Sequence, residues 1–481
     1  MYLSTAMNSM RNLLLCLISA TSACEGWRTV PVRLTHGPFV GDVTATGAVV
    51  WARIEGVSMA ECRLVTTRTR GFNEWKLVAT TSQAHDSTLR FVFTTLRPDW
   101  EYEVSFPGVL GAPTRRFHTA PAPSAAVPFA LAFGGDVGGQ GHGRDVTEGL
   151  PIFPHILACQ PDCFVGLGDM IYGDLDIPTT SKLGNAQVPL GNPLVLGVRS
   201  YWTHWRYLHD DAGFATLLGK VPYVAIWDDH EVKNDFGPSH DGGLLTAGRA
   251  ALFDWNPLAG APEEPERLYR CLRMGKHCEL FVLDCRSYRD PNSRKDDAPE
   301  PKTMLGAAQR AWLLAALAKS DATWKVVVTS VPLCTPTGDK DKGRDAWCDH
   351  ESPFGFEREL VGILREMQRL GIETPVFMTT DVHHAEVLRL APFADAPSFR
   401  PLEIVTGPMH AGVFGRGELD RTLNPTSLFY LPPDPQPKTL AEAKRLWNFG
   451  LLRFDATGDL TVSVVDATGA VRFVVTERPA R

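Results

Sequence analysis

Short apolar runs that stop at an acidic residue recur along the chain. Phe129-Ala-Leu-Ala-Phe133 runs into Gly134-Gly135-Asp136, and Phe164-Val165-Gly166-Leu167 runs into Gly168-Asp169. Val221-Pro-Tyr-Val-Ala-Ile-Trp227 ends in Asp228-Asp229-His230-Glu231, and Thr374-Pro-Val-Phe-Met378 in Thr379-Thr380-Asp381-Val382-His383-His384. Runs of this length read as buried strands of an α/β sheet. The intervening segments are long enough for crossover helices, which predicts the four tips along one edge of one sheet. Further strands are predicted at 278–283, 324–329 and 402–405, and helices at 201–208, 305–317 and 357–370. From Asn448 a β-meander follows, with Asp-Ala-Thr-Gly turns at Asp455 and Asp466.

The pattern is different before residue 119. Ala48–Arg53, Cys62–Thr66, Lys76–Ala79, Leu89–Phe93 and Glu101–Ser105 alternate or run apolar over short spans separated by turn residues. That predicts a small all-β sandwich over 33–119. The Pro/Ala-rich stretch from Thr119 to Pro128 marks a boundary, leaving 128–481 as an α/β unit. At 481 residues the chain exceeds one ordinary core, in keeping with two or three units.

Arg11, the apolar Leu13–Ile18 and the small residues Ser19–Cys24 read as a signal-peptide-like leader over 1–24. This predicts an exported protein: periplasmic, secreted or lipid-anchored. No later apolar run is long enough to span a bilayer. A formal net charge of -7 supplies no basic field for gripping nucleic acid. Of the ten cysteines, those outside the leader are even in number, which is compatible with an oxidising compartment. Cys334 and Cys348 flank a polar loop and could close it as a disulfide, a pairing that sequence leaves open.

Candidate chemistry gathers at the strand tips. Each Gly-Asp pair alone is an ordinary strand end, but Asp136, Asp169, Asp229 and Asp381 brought together would repel one another unless cations neutralised them. Gly168 lets the backbone approach closely, and Tyr172 could add a phenolate. A metal cluster is therefore expected. Gly138-Gly-Gln-Gly-His142-Gly follows Asp136 and could cradle an anion, though its spacing fits no dinucleotide or Walker motif. Arg286 and Arg289 could clamp a phosphoryl group bidentately or hold carboxylates structurally. The irregular segment 176–200 reads as a lid or rim loop.

Gly168-Asp169 with Tyr172, Trp227-Asp-Asp-His-Glu231 with Asn234, and Asp381-Val-His383 together resemble the PhoD-like alkaline phosphatases of the calcineurin-like metallophosphoesterase superfamily. Supporting segments are Leu283–Arg289, the Leu-Gly-x-x-Gln-x-x-Trp-Leu helix at 305–313, and Gly41-Asp42 leading to Val49–Arg53. The resemblance covers nearly the whole chain after the leader. It implies a two-layer αββα core behind a fibronectin III-like sandwich, and hydrolysis of phosphate mono- or diesters outside the cytoplasm with iron and calcium. By position it implies that Asp169 bridges the metals, Tyr172 ligates iron, and Asn234, Asp381 and His383 complete the shell, while His230 assists the leaving group.

The chain departs from that pattern in three places. Gly135-Asp136-Val137-Gly138 stands where family members often carry a cysteine, and resembles the first motif of purple acid phosphatases instead. Asp229 replaces an asparagine of the wider superfamily, and Thr329-Ser330 sits where purple acid phosphatases place a histidine. One predicted site then holds Asp136, Asp169, Tyr172 and His383, a phenolate–imidazole set suited to Fe3+. The other is all oxygen, from Asp169, Asp381 and Asp229 and/or Asn234, suited to Ca2+ or another hard cation.

The expected reaction is in-line attack by a water whose pKa the paired cations lower, with His230 protonating the departing oxygen. Arg286, Arg289 and Arg144 are expected to offset charge, and His384 to contact substrate. Alternatives are a phospholipase D-type phosphodiesterase on the same scaffold, acting on a phospholipid, and a non-catalytic secreted binding protein with a structural metal site.

Overall fold

The computed structural model describes residues 32–66, 74–191, 197–238, 243–261 and 263–479. The leader-like stretch 1–24 lies outside the described residues, as does 192–196 of the irregular segment.

Two large sheets lie face to face. The first has nine strands in the spatial order Val471–Glu477, Leu460–Asp466, Asn448–Phe454, Phe129–Gly134, Cys163–Gly166, Tyr223–Ala225, Arg33–Gly41, Ala48–Glu55 and Thr88–Phe93. The second has seven: Arg270–Met274, Cys278–Val282, Trp324–Val328, Val376–Thr379, Leu402–Val405, Ala385–Arg389 and Thr426–Leu431. Leu131, Phe133, Val165 and Val224 of the first sheet meet Leu280, Val326, Met378 and Ile404 of the second in one apolar layer. Strands buried on both faces explain why their sequences are continuous apolar runs.

Helices close the outer faces. Val198–His209, Ala212–Leu218 and Leu244–Trp255 cover the first sheet through Trp205, Phe214 and Leu252. Gly306–Lys319 and Glu357–Arg369 cover the second through Leu313, Leu360 and Ile363. Glu357–Arg369 carries Leu360, Ile363, Leu364 and Met367 on its buried face, the i, i+3, i+4, i+7 spacing of an amphipathic helix. The layers are thus α, β, β, α.

This arrangement changes one expectation. Phe129–Gly134, Cys163–Gly166 and Tyr223–Ala225 are parallel neighbours, but Val376–Thr379 belongs to the opposite sheet. The four acidic tips share one rim of a two-sheet sandwich, not one edge of one sheet. The apolar runs encode where a buried strand stops and its acidic tip begins, whereas sheet membership depends on pairing, which they do not encode.

The N-terminal strands form a sandwich. Arg33–Gly41, Ala48–Glu55 and Thr88–Phe93 face a four-stranded sheet of Glu74–Thr80, Met59–Thr66, Glu101–Ser105 and Arg115–His118. Val50, Phe91, Leu64 and Tyr102 lie in the core between them. Its first sheet continues the nine-stranded one through a parallel pairing of Gly41 with Tyr223. Asp42 pairs with Arg270 at 2.6 Å, and the Trp51 indole N–H donates to the Asp254 carbonyl at 2.7 Å across the same junction. Cys334 and Cys348 are both buried thiols.

Candidate metal centre

The rim of the sandwich is made of strand ends whose backbones turn the wrong way for ordinary residues. Asp136, Asp169, Asp381 and His383 all have positive φ, between 50° and 77°. Left-handed backbone costs a non-glycine residue free energy and is retained where surrounding structure imposes it, typically at functional sites. These turns stand where the donor atoms of the four side chains gather at the rim. Gly168 makes the approach possible: a Cβ there would lie 2.5 Å from the Asp228 nitrogen.

The carboxylates converge. Oxygens of Asp136 and Asp169 and a ring nitrogen of His383 lie within 4.8 Å of one another, as do donor atoms of Asp169, Asp229 and His230, and of Asp228, Asp229 and Asp381. Asp169 and Asp229 each belong to more than one group, so the groups form one continuous array. The Tyr172 hydroxyl stands 3.2 Å from His383 Nε2, joining the first group. A fourth group, Asp229, Asp235 and Asp345, extends the array along the rim.

Scaffolding bonds hold these side chains. Glu231, fully buried, accepts the N–H groups of Met170 at 2.8 Å, Asp169 at 3.1 Å and Asp228 at 2.8 Å. One carboxylate thereby ties two metal-donor loops together. Thr380 Oγ1 donates to Asp136 at 2.8 Å, and the His230 N–H donates to Asp169 Oδ1 at 3.1 Å. His383 Nδ1 donates to the Gly412 carbonyl at 2.6 Å, which leaves Nε2 facing the carboxylates. His230 Nδ1 contacts Asp174 at 2.7 Å, while its ring lies 4.2 Å from that of Tyr172.

Electrostatics favour cations in this array. Burial pushes the Asp136 carboxyl up to about 8, against the Thr380 hydrogen bond and with Asp228 adding to the rise. Burial, then repulsion from Asp229 and Asp228, drives Asp169 well above the carboxylate range, and Asp381 is raised by burial and the same two neighbours. Burial lowers His383 to about 3, so its imidazole is neutral and able to ligate. Burial also raises the Tyr172 phenol, with Asp169 adding to it. Asp136 Oδ1, Asp228 Oδ2, Asp229 Oδ1 and Asp381 Oδ2 are buried without hydrogen-bond partners. Buried carboxylate oxygens left unpaired beside a neutral imidazole fit hard or borderline cations.

Not every candidate joins the array. Asn234 is exposed on the following turn, where its N–H donates to Asp174; the neighbouring Asp235 carboxylate reaches the array instead. Arg286 and Arg289 are almost wholly buried and already paired. Arg286 bonds Asp228 at 2.7 Å and Asp345 at 2.8 Å, and Arg289 bonds the Asp345 side chain and its carbonyl. Of the two sequence readings of these arginines, the carboxylate-holding one describes their contacts. Both arginines hold the Asp345 carboxyl well below its usual range despite burial. Arg144 stacks on the Tyr207 ring at 4.1 Å. His384 turns away from His383 toward Glu386, 3.8 Å distant, because it leads into the strand Ala385–Arg389, where successive side chains alternate faces.

Sequence reasoning left Asp228, Glu231, Asp174, Asp235 and Asp345 without roles, although Asp228 stands beside Asp229 in the same motif. Glu231 carried a signal, since a Glu three residues after a strand-end Asp can reach back to its N–H. Asp345 directly follows the small hairpin of Gly338–Asp339 with Gly343–Arg344, in the charged loop 338–351 that the sequence puts beside the site without singling out this residue.

Two facing mixed sheets, flanked by helices and carrying a shared carboxylate array at one rim, define the metallophosphoesterase fold. The chain belongs to the PhoD-like phosphatase family, whose pattern fits residues 135–459. It is 26% identical over 299 residues to alkaline phosphatase D of Bacillus subtilis (strain 168), covering 56% of this chain and 49% of that protein. The chain thus spans about half the length of that relative. Among solved structures it is similar to PhoD, with a TM-score of 0.67 at 19% identity over 91% of this chain and 88% of that one. It is also similar to a purple acid phosphatase from yellow lupin (Lupinus luteus) seeds, with a TM-score of 0.60 at 15% identity, covering 92% and 73%.

Proposed function

We propose that this chain is an exported, metal-dependent phosphatase that hydrolyses phosphate mono- and/or diesters. The observation that carries this reading is the array itself: Asp136, Asp169, Tyr172, Asp229, Asp381 and His383 at one rim, with buried oxygens left unpaired. We assign Asp136, Asp169, Tyr172 and His383 to an iron site and Asp169, Asp228, Asp229 and Asp381 to a calcium-type site, on the softness of their donors. The chemistry is assigned to residues 128–481, with the sandwich of 33–119 as an appended unit. The export reading rests on the leader-like composition of residues 11–24.

Bound cations would supply charge neutralisation and activation of the attacking water. The protein's own residues do the rest. Asp169, shared between donor groups, fixes the spacing of the two sites. Asp174 orients His230 through Nδ1, leaving Nε2 to deliver a proton to the departing oxygen. Burial lowers His230, while the charges of Asp229, Asp174 and Asp228 outweigh it and raise the ring to about 9 in the absence of cations; the Asp174 contact persists whether or not cations neutralise the other two. Arg286 and Arg289 act as positioning residues by holding Asp228 and Asp345.

The test pairs metal content with turnover. Purified protein is assayed by elemental analysis and a visible spectrum, then on a phosphate monoester and a diester. The proposal expects bound metal, a tyrosinate–iron band lost in Tyr172→Phe, and hydrolysis of at least one ester. Metal-loaded protein that hydrolyses neither would refute it.

A further inference from the structure

Beside His383 the rim carries an apolar group that the chemistry above does not use. Phe414 is 49% exposed, and its ring centroid lies 4.8 Å from that of His383. Its position is not that of a loose surface side chain. The Phe414 N–H donates to the His383 carbonyl at 3.1 Å, and the preceding Gly412 carbonyl accepts from His383 Nδ1. The Gly412 N–H donates to Gln140 Oε1 at 3.2 Å. On the other side, the Arg416 N–H donates to the Tyr430 hydroxyl at 3.0 Å, and its guanidinium pairs with the fully buried Glu386.

The backbone on both flanks of Phe414 is therefore fixed, while half of the ring faces water. The exposed half of the ring contributes nothing to folding, while the other half packs beside the His383 ring. Gln140 shares the spot: its Nε2 lies 3.4 Å from His383 Nε2, and a Cβ on Gly412 would sit between Gln140 and the Phe414 ring. The rim next to His383 Nε2 is thus a half-exposed aryl face flanked by one neutral amide. The amide has donors for an ester oxygen, and the ring suits an apolar, flat group.

We propose that Phe414 forms the wall of an alcohol subsite, receiving an apolar, aryl-bearing organic group of a phosphate ester whose phosphoryl group is held at the carboxylate array. This inference rests on the phosphatase reading and narrows it to a substrate class. Esters of hydrophilic alcohols gain nothing from the ring and are expected to bind more weakly.

The experiment compares benzyl phosphate with glycerol 3-phosphate on metal-loaded protein. Both are alkyl esters with leaving groups of similar basicity, so the chemical step is matched and KM reports the alcohol. The wild type is expected to show the lower KM for benzyl phosphate. Phe414→Ala should raise that KM roughly 3- to 10-fold, the range of a single aromatic pair, and narrow the KM ratio between the esters. Phe414→Trp should retain the preference. If the ring only props His383, Phe414→Ala will instead lower metal content and kcat for both esters together with the ratio unchanged, which overturns the subsite. Equal KM values in an active wild type overturn the subsite and leave the phosphatase reading standing. A wild type inert toward both monoesters overturns the subsite, and one inert toward a diester as well sinks the phosphatase reading with it.

Discussion

Glu231 offers the sharpest test of how the site is built. Its carboxylate accepts N–H groups from Asp169, Met170 and Asp228, and so ties the loop after Cys163–Gly166 to the loop after Tyr223–Ala225. Glu231→Ala leaves three buried donors without a partner, at about 1–3 kcal/mol for each unmet group. Part of that cost is returned, because removing Glu231 relieves its repulsion of Asp169 and Asp228. A net loss of about 4 kcal/mol is the working figure. Unfolding entropy scales with length, so in a chain this long each kcal/mol moves Tm by about 1 °C.

Calorimetry on loaded protein should therefore show Tm lower by about 4 °C in Glu231→Ala. Glu231→Gln keeps one oxygen acceptor but turns an NH2 toward at least one backbone donor, so it should fall between the two. Metal content should follow the same order, since both tied loops carry donors. If Glu231→Ala keeps the wild-type Tm and metal content, the carboxylate does not brace the centre and the reasoning fails.

Other consequences follow from the same geometry. In metal-stripped protein, burial raises Asp136 to about 8 and Glu231 to about 7. A folded-state pKa above the unfolded value contributes stability that is full below about pH 4 and is lost as pH rises toward 8. Stripped protein should thus lose Tm between pH 5 and 8, and restored metal should recover more of it at the higher pH; thermal melts across that range check the sign. Arg286→Ala leaves Asp228 buried without its cationic partner while Asp345 keeps Arg289, at a cost of about 3–5 kcal/mol, readable in a denaturant titration. His230→Ala should lose about 10²–10⁴-fold in kcat and keep its metal; elemental analysis showing lost metal would make His230 a ligand instead.

Much of the centre was legible before the fold. Asp136, Asp169, Asp229, Asp381 and His383 were readable because each stands just past an apolar strand, and strand ends are where such sheets place their ligands. Two kinds of information were not. Which sheet a strand joins depends on pairing partners far away, so Val376–Thr379 was assigned to the wrong layer. Where a side chain points at a rim depends on backbone turns, so His384 and Asn234 looked like site residues from their spacing yet face away or outward. Arg286 and Arg289 carried both readings in sequence, and only burial beside Asp228 and Asp345 separates them. Asp345 was hidden for the opposite reason, because the charge of its loop is legible but no spacing singles this residue out.

The central claim is that Asp169 is shared between two cation sites. It is tested most directly by metal stoichiometry in wild type and Asp169→Asn, measured by elemental analysis on the same preparations used for ester hydrolysis. The account predicts at least two metal ions per wild-type chain, and a variant that loses bound metal and turnover together. A variant with wild-type metal content and full activity would contradict it.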